Sequence, residues 1–256
     1  MTDLRSPTVS IVTPAYNAEN VISQCYASIA AQTLTKWEWI VVDDGSIDRT
    51  KALVDAIMQS DPRVQFVSLD RNQGAAVARN RALEAVIGRY VAFLDADDYW
   101  YPEKLERQVN FMIRSGEVFT YSSYGVEDTS GIRVATYIPP TRTTYDELLK
   151  TNVIGCLTAM YDRAYFGHVQ MPLLRKRQDY GLWLELLRNV DHAAAIPEVL
   201  AVYRKQKKSV SSNKLTAIPY TWAVYRKVAH LNICDSTFYL AHQLVSGLWA
   251  RLHRRR

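Results

Sequence analysis

Three short groups of residues in the first hundred positions could hold a metal ion together with a phosphate. Asp95-Ala96-Asp97-Asp98 places three carboxylates within four positions. Asp43-Asp44-Gly45-Ser46 places two more beside a turn, and Thr13-Pro14-Ala15-Tyr16-Asn17 adds an aromatic ring and polar side chains. Carboxylate oxygens are hard donors that suit Mg²⁺ or Mn²⁺, and a cation among them relieves their mutual repulsion. Asp97 and Asp98 are therefore candidate metal ligands, with Asp95 beside them.

Each group also has a purely structural explanation. Asp43 and Asp44 are typical of an Asx turn that caps the next helix. The group at Asp95 is typical of a capped turn ahead of Pro102. One such group alone would favour the structural explanation, whereas three of them at equivalent positions favour a site for a metal ion and a nucleotide.

The three groups follow hydrophobic runs that predict buried β-strands. The runs are residues 9–12, which we expect to stop at Pro14, and residues 39–42, 64–67 and 90–94. Between them, apolar residues at helical spacing predict helices, the third over residues 74–87. This alternation predicts an α/β fold whose mostly parallel sheet has helices on both faces. Because ligands bind at the carboxyl ends of such strands, the three groups should meet at one edge of the sheet.

The pattern changes after residue 98. The sequence predicts a helix near 102–114, a β-hairpin with strands at 117–126 and 132–138, and helices near 144–150 and 178–189. An apolar run covers residues 153–161, and residues 215–230 and 235–253 predict two C-terminal helices. No long linker separates these elements.

The net charge of +5 is unevenly distributed along the chain. Residues 1–100 carry a net −4, residues 101–200 a net −1, and residues 201–256 a net +10. Three widely separated cysteines disfavour a disulfide framework and favour the reducing cytoplasm. We expect an acidic working end and a basic tail that meets an anionic surface, and no nucleic-acid partner.

The C-terminal segment 236–250 is uncharged, but it is shorter than the roughly 20 residues that a membrane span needs. One helical face carries Phe238, Ala241, Leu244, Val245, Leu248 and Trp249, and four arginines follow within the last six positions. The helix either packs on the domain or lies in a membrane surface with its arginines on anionic headgroups. The arginines beside Trp and Leu favour the anchor, and hence a peripheral protein on the inner face of the cell membrane.

In combination, these motifs resemble the family 2 glycosyltransferases of the GT-A fold. The matching segments are Val9-Ser10-Ile11-Val12-Thr13-Pro14-Ala15-Tyr16-Asn17, Val41-Val42-Asp43-Asp44-Gly45-Ser46, Ala78-Arg79-Asn80 and Phe93-Leu94-Asp95-Ala96-Asp97-Asp98. The resemblance implies a Rossmann-like GT-A domain over residues 1–210. Its nucleotide-binding half would be 1–100 and its acceptor-binding half 101–210, with a basic helical extension at 211–256. It also implies an inverting enzyme that uses a nucleotide-diphosphate sugar, expected to be a UDP-sugar, and Mg²⁺ or Mn²⁺.

The resemblance further implies roles for individual residues. Pro14, Tyr16 and Asp44 would hold the nucleotide base. Arg79 would reach the nucleotide as well, with an ordinary surface arginine as the alternative. Asp95 and Asp97 would contact the ribose and the metal bound to the diphosphate, with Asp98 adjacent, and the metal would act as a Lewis acid as the nucleotide departs.

An inverting transfer also needs a base for the proton of the acceptor hydroxyl. Gln178-Asp179-Tyr180-Gly181-Leu182-Trp183 resembles the family's segment ahead of a helix, which implies that Asp179 is this base. A helix N-terminus favours the charged form of a carboxylate. The alternative is that Asp179 only caps the helix. Arg175-Lys176-Arg177 either meets a phosphate on the acceptor or forms a solvated loop.

The sequence departs from the family pattern in one segment. Many relatives carry a His after a Tyr-Arg strand, but Tyr203-Arg204-Lys205-Gln206-Lys207-Lys208-Ser209 contains none. Either Lys207 or Lys208 contacts the diphosphate, or the segment is a mobile basic loop. The QxxRW motif of processive synthases is absent, which favours the addition of a single sugar.

The predicted function is therefore the transfer of one sugar to a growing glycan, plausibly lipid-linked, in bacterial surface-polysaccharide synthesis. The alternative is a non-catalytic nucleotide-sugar-binding or scaffold protein of the same fold. A nucleotidyltransferase is disfavoured because residues 13–17 are not a Gly-rich phosphate loop. Zinc hydrolases and dinucleotide-binding dehydrogenases are disfavoured because HExxH and GxGxxG motifs are absent.

Overall fold

The computed structural model of the protein describes residues 6–205 and 215–253. Its strands are β1 (Val9–Ala15), β2 (Trp37–Asp43), β3 (Val64–Ser68), β4 (Tyr90–Phe93), β5 (Tyr99–Trp100), β6 (Phe119–Glu127), β7 (Arg133–Tyr137), β8 (Arg142–Thr143), β9 (Met160–Asp162) and β10 (Ala193–Arg204). Its helices are α1 (Ile22–Ala30), α2 (Thr50–Ser60), α3 (Ala75–Leu83), α4 (Lys104–Ser115), α5 (Tyr145–Lys150), α6 (Arg163–Phe166), α7 (Gln178–Leu187), α8 (Ile218–Ala223) and α9 (Ile233–His253). A short 3₁₀ turn covers Cys156–Thr158.

One sheet forms the centre of the molecule, with the strand order β3-β2-β1-β4-β9-β6-β10-β5. The pairs β1–β2, β1–β4, β2–β3 and β6–β10 are parallel. β9 lies antiparallel between β4 and β6, and the predicted hairpin forms from β6 and β7. The carboxyl ends of β1, β2, β4, β6 and β10 therefore share one edge, which confirms the mostly parallel α/β sheet.

The sheet has an apolar layer on each face, because successive residues of a strand point to opposite sides. Ile11 and Trp39 belong to a layer that packs against α1 and α4. Val12 and Phe93 belong to the other layer, which packs against α3 and α7. Helices thus cover both faces as predicted, and α3 and α7, which carry Arg79 and Asp179, cover the same one.

Aromatic packing holds α7 beside the carboxyl end of β4. The fully buried ring of Trp183 lies 5.4 Å from the ring of Phe93 and 5.4 Å from that of Phe119, measured between centroids. Such contacts are favourable beyond the apolar area they bury. They fix the start of α7 close to the acidic group that follows β4.

The prediction that the first strand stops at Pro14 is wrong, because β1 continues to Ala15. The N–H of Leu94 donates to Val12 (3.1 Å) and the N–H of Asp44 donates to Ala15 (2.8 Å). The backbone N–H and C=O groups of positions 12 and 14 therefore face β4, and those of positions 13 and 15 face β2. Because the ladder between β1 and β4 ends at Val12, the missing N–H of Pro14 falls beyond it and costs no hydrogen bond.

Further differences from the expectation concern α3 and β10. α3 ends at Leu83 instead of continuing to residue 87. β10 was not predicted, because its Ala-rich start and Pro197 are unusual in a strand. The register of β10 against β6 shifts between Ile196 and Val199, and this irregularity accommodates the proline.

The last helix packs on the domain while some of its apolar side chains stay exposed. Tyr239 and Leu240 of α9 contact the apolar layer that contains α7. Phe238, Leu244 and Val245, which belong to the predicted apolar stripe, are exposed. Among the described residues, no helix is both long enough and apolar enough to cross a membrane.

We expect Gly45→Ala to destabilise the fold by about 3 kcal/mol, because φ is +73° there and an added Cβ would meet the Arg71 carbonyl carbon at 2.7 Å. The matched control is Gly131→Ala, since φ is +76° and no atom lies within 4 Å of the added Cβ. This control should cost about 1 kcal/mol. Denaturant unfolding measures both losses, and equal losses would contradict the close approach of the two loops.

Candidate active site

The loops that follow β1 and β2 are joined by hydrogen bonds. The N–H of Asn17 donates to Ser46 Oγ (2.8 Å), and Asn17 Oδ1 accepts from the N–H of Ile47 (3.0 Å). The N–H of Ser46 in turn donates to Asp43 Oδ2 (3.1 Å). These bonds bring two of the three predicted groups together, and they give Asp43 the structural role of an Asx turn.

Asp44 is buried and bound to the start of α3. Its Oδ1 accepts from the N–H of Gln73 (2.7 Å), and its Oδ2 accepts from the N–H of Gly74 (2.8 Å). A carboxylate oxygen has two acceptor positions, so each can accept one more hydrogen bond. Asp44 therefore has a structural role. Its carboxylate can also accept a hydrogen bond from a nucleotide base, and this second role stays a prediction.

Tyr16 lies on the surface next to these loops. Its side chain is 49% exposed, so an aromatic base can reach the face of its ring. Pro14 is partly buried at the end of β1. Among the described residues, hydrogen bonds and ion pairs do not link Pro14 or Tyr16 to the acidic group after β4.

Arg79 is buried and forms an ion pair with Asp95. Burial opposes the charge on its guanidinium, but Asp95, together with Cys156 and Asp179, holds the pKa of Arg79 above its ordinary value. The alternative of a surface arginine is therefore wrong. Asp95 and Asp179 therefore both lie near the guanidinium of Arg79.

Asp97 and Asp98 differ in their surroundings. Asp98 is buried, and its Oδ1 accepts from the N–H of Arg204 (3.0 Å). Burial, with Asp97 and Asp95 beside it, raises the pKa of Asp98 well above its usual range. Asp97 is more open, and burial together with Asp95 raises its pKa to about 6. The loop thus concentrates negative charge that lacks sufficient countercharge.

A divalent cation fits this group when a phosphate shares its coordination. In the part of the chain that the structure describes, no three His, Cys, Asp or Glu side chains form a complete metal cage. Mg²⁺ commonly needs only one or two carboxylates when substrate phosphates supply further oxygens. Asp97 and Asp98, with Asp95 beside them, supply such carboxylates, and their roles as metal ligands stay predictions.

Two buried N–H groups beside the carboxylates have no hydrogen-bond partner among the described residues. They are the Nε of Arg79 and an Nη of Arg204. A buried donor without a partner is costly, and an anionic oxygen is a strong acceptor for it. Each of these donors could take a phosphate oxygen as its partner, next to the candidate metal ligands.

Asp179 lies in the first turn of α7, as predicted. The residue before the helix is Arg177, with φ +65°, and no side chain caps the helix. Asp179 therefore does not cap the helix, and the alternative of a capping role is wrong. Asp179 is partly exposed and near Arg79.

Two residues at the site were not predicted. Cys156 lies near Arg79, Asp95 and Asp179, and burial raises the pKa of its thiol well above the ordinary value. Arg204 binds the main chain of Asp97 through Nε. The Tyr-Arg pair at a strand end was a signal for Arg204, whereas nothing in the sequence pattern marks Cys156.

Some predicted contacts fall outside the described residues. Lys207 and Lys208, the candidates for contact with a diphosphate, are among them, as are the last three arginines of the chain.

Comparison with known proteins shows the family. Residues 10–169 match the family model "Glycosyl transferase family 2". A Bacillus subtilis (strain 168) protein named as a teichuronic acid biosynthesis glycosyltransferase, TuaG, is 42% identical over 96% of this chain and 98% of its own. The Escherichia coli protein named UDP-Glc:alpha-D-GlcNAc-diphosphoundecaprenol beta-1,3-glucosyltransferase WfgD is 36% identical over 94% of this chain and 93% of its own.

Solved structures show the same fold at lower identity. S. aureus TarS 1-349 in complex with UDP-GlcNAc superposes with a TM-score of 0.70 at 21% identity, over 93% of this chain and 71% of that one. The mannosyltransferase PcManGT from Pyrobaculum calidifontis, in complex with GDP-Man and Mn²⁺, gives a TM-score of 0.70 at 18% identity, over 93% and 69%. These likenesses confirm the GT-A fold. On the family model and the near full-length relatives, this chain belongs to glycosyl transferase family 2 and is a glycosyltransferase.

Proposed function

We propose that this enzyme transfers one sugar, with inversion, from a UDP-sugar to a lipid-linked saccharide in bacterial surface-polysaccharide synthesis. One observation carries the proposal. The buried guanidinium of Arg79 pairs with Asp95 and lies near Asp179, so the candidate donor site and the candidate base adjoin the same side chain. A single-displacement transfer needs this proximity, because the acceptor hydroxyl must reach the anomeric carbon of the bound donor.

The reaction follows from this arrangement. The Asp179 carboxylate accepts the proton of the acceptor hydroxyl while that oxygen attacks the anomeric carbon. The bond from that carbon to the nucleotide diphosphate breaks at the same time, and attack from the opposite face inverts the configuration. The Nε of Arg79 and the Nη of Arg204 donate to the departing diphosphate.

A divalent cation completes the donor site in this proposal. Asp95 and Asp97 would hold Mg²⁺ or Mn²⁺, with Asp98 buried behind them. When bound, the cation neutralises charge on the leaving diphosphate as a Lewis acid. The Mn²⁺ complex of PcManGT, which has the same fold, supports this assignment.

The donor assignment rests on the first half of the domain, residues 1–100. The exposed ring of Tyr16 can stack on a base beside Pro14, and Asp44 can accept from a base N–H. The name of WfgD contains UDP-Glc, and TarS is solved with UDP-GlcNAc. We therefore infer a UDP-sugar, without specifying the sugar.

The acceptor belongs to the second half, residues 101–210, in this proposal. Cys156 and Asp179 approach Arg79 from that half. The relatives named for teichuronic acid synthesis and for a diphosphoundecaprenol-linked substrate support a lipid-linked saccharide. The basic extension, residues 211–256, would then place the enzyme at the membrane.

Exposed apolar side chains of α9 support peripheral binding to the inner face of the cell membrane. Phe238, Leu244 and Val245 are exposed, while Tyr239 and Leu240 of the same helix pack on the domain. The chain ends in arginines, whose charge complements anionic headgroups. Apolar side chains followed in the sequence by several cations are typical of an in-plane anchor.

A protein that binds a nucleotide sugar without turnover is the second candidate. The partly exposed carboxylate of Asp179 near the donor site argues against it, because binding alone needs no base. UDP binding without transfer to any acceptor would favour this candidate.

We expect Asp179→Asn to lower the rate of sugar transfer by about 10²- to 10⁴-fold, because asparagine cannot accept the acceptor proton. UDP release with membrane extract as acceptor measures the rate. The matched control is Asp191→Asn beyond the other end of α7, where the side chain is exposed. The control should keep the normal rate of sugar transfer. A normal rate for Asp179→Asn would contradict the assignment of Asp179 as the base.

We expect Asp97→Asn to weaken Mn²⁺-dependent UDP binding by about tenfold, because one anionic ligand of the cation is lost. Calorimetry with and without Mn²⁺ measures the affinity. Asp128→Asn, in the β6–β7 turn, is the control for loss of one charge. If Asp97→Asn leaves the Mn²⁺ effect intact, Asp97 is not a ligand.

We expect the triple variant Phe238→Ser, Leu244→Ser, Val245→Ser to bind anionic vesicles at least tenfold more weakly, because less apolar surface enters the lipid. Co-sedimentation with phosphatidylglycerol vesicles measures the binding. Ile132→Ser with Ile138→Ser is the control, since both side chains are exposed in the hairpin region. Equal vesicle binding by the triple variant and the wild type refutes the anchor.

A further inference from the structure

Three consecutive cations lie directly before α7. Arg175 is exposed, and Lys176 and Arg177 are partly buried. Within residues 6–205 and 215–253, none of the three forms a salt bridge with a carboxylate. A cluster of cations without a countercharge binds anions, and the planar fork of arginine matches the oxygens of a phosphate.

The loop that carries these cations is held in place. Lys176 Nζ donates to Thr216 Oγ1 (2.9 Å) and lies 5.8 Å from the ring centroid of Tyr220 in α8. An ammonium group has three N–H donors, so the bond to Thr216 leaves two for a ligand. These contacts favour a binding role over a freely solvated loop.

The cations are close to the candidate base. Arg177 and Asp179 are two positions apart, so their Cα atoms lie within about 7.6 Å of each other. The first intrahelical bond of α7 runs from the N–H of Gly181 to the carbonyl of Arg177 (3.0 Å). The earlier N–H groups of the helix therefore point toward the cations and add positive potential.

The same loop adjoins the C-terminal helices. Burial raises the pKa of Tyr180, and the charge of Arg177 acts against that rise, which places Arg177 near this ring. The hydroxyl of Tyr180 lies 3.3 Å from Gln243 Nε2 of α9. The loop with the cations therefore adjoins α7, and Tyr180 of α7 connects this region to α9.

We propose that Arg175, Lys176 and Arg177 bind the diphosphate of the acceptor, next to the helix that carries Asp179. The inference rests on the proposed function and narrows its acceptor to a saccharide that is linked through a diphosphate.

The test uses octyl diphosphate, which carries no sugar, so the result does not depend on the identity of the acceptor sugar. The full-length enzyme is first saturated with UDP and Mg²⁺, which fills the donor site, and octyl diphosphate is then titrated by calorimetry. We expect Arg175→Gln, Lys176→Gln, Arg177→Gln to weaken its binding at least tenfold, since charge-assisted bonds are lost. The single variant Arg175→Gln should show a smaller loss in the same direction.

The control is a second triple variant, Lys36→Gln, Lys51→Gln, Arg114→Gln, which removes three positive charges at exposed positions elsewhere. It should bind octyl diphosphate like the wild type, and octyl glucoside should not bind at this site. Equal octyl diphosphate affinity in the wild type and the first triple variant, or no binding by either, overturns the inference. Failure to bind UDP in the first step would instead overturn the proposed function, and UDP binding by the variants also shows that they fold.

A second arm separates an acceptor diphosphate from lipid headgroups. Both triple variants are sedimented with phosphatidylglycerol–phosphatidylcholine vesicles that contain no acceptor. We expect similar vesicle binding by the two variants. A selective loss in the Arg175, Lys176 and Arg177 variant, with unchanged octyl diphosphate affinity, would assign the cations to headgroups and overturn the inference.

Discussion

The ion pair between Arg79 and Asp95 joins α3 to the loop after β4, across the carboxyl edge of the sheet. A buried guanidinium needs a partner, because the loss of one member of such a pair typically costs about 3–5 kcal/mol. Here the partner is also a candidate donor ligand. The start of α3 is bound to Asp44 in the second acidic group. One buried cation therefore connects the elements that form the candidate donor site.

Charge balance at this edge explains how the same residues can serve stability and function. Asp95, Asp97 and Asp98 crowd together, and Arg79 and Arg204 offset part of their charge. Each arginine keeps a buried N–H without a partner among the described residues. A nucleotide diphosphate with its cation would supply both the acceptors and the positive charge that the group lacks. Ligand binding would thus complete an arrangement that the fold has already formed.

The position of α7, which carries the candidate base Asp179, depends on packing more than on charge. Trp183 fixes α7 against β4 and β6, and Tyr180 one turn earlier binds the carbonyl of Leu148 (3.1 Å). Tyr225 reaches the carbonyl of Leu149 (2.7 Å), and Gln243 of α9 adds a longer contact to the same oxygen. The C-terminal helices are thereby tied to the helix that carries Asp179. A membrane contact by α9 would set the height of the base above the lipid surface.

The sequence by itself determined the alternation of strands and helices, the acidic groups at the strand ends and the position of Asp179 in the first turn of α7. These features depend on periodicity and on local turn chemistry, which can be read along the chain. Only the tertiary structure decided that Arg79 is buried, that Cys156 and Arg204 lie at the site, and that β9 inserts between β4 and β6. It also decided that Pro14 continues a strand, because a neighbouring ladder ends beside it. Such outcomes depend on contacts between segments that are distant in sequence. Of these residues, only Arg204 has a local signal, the Tyr-Arg pair at a strand end.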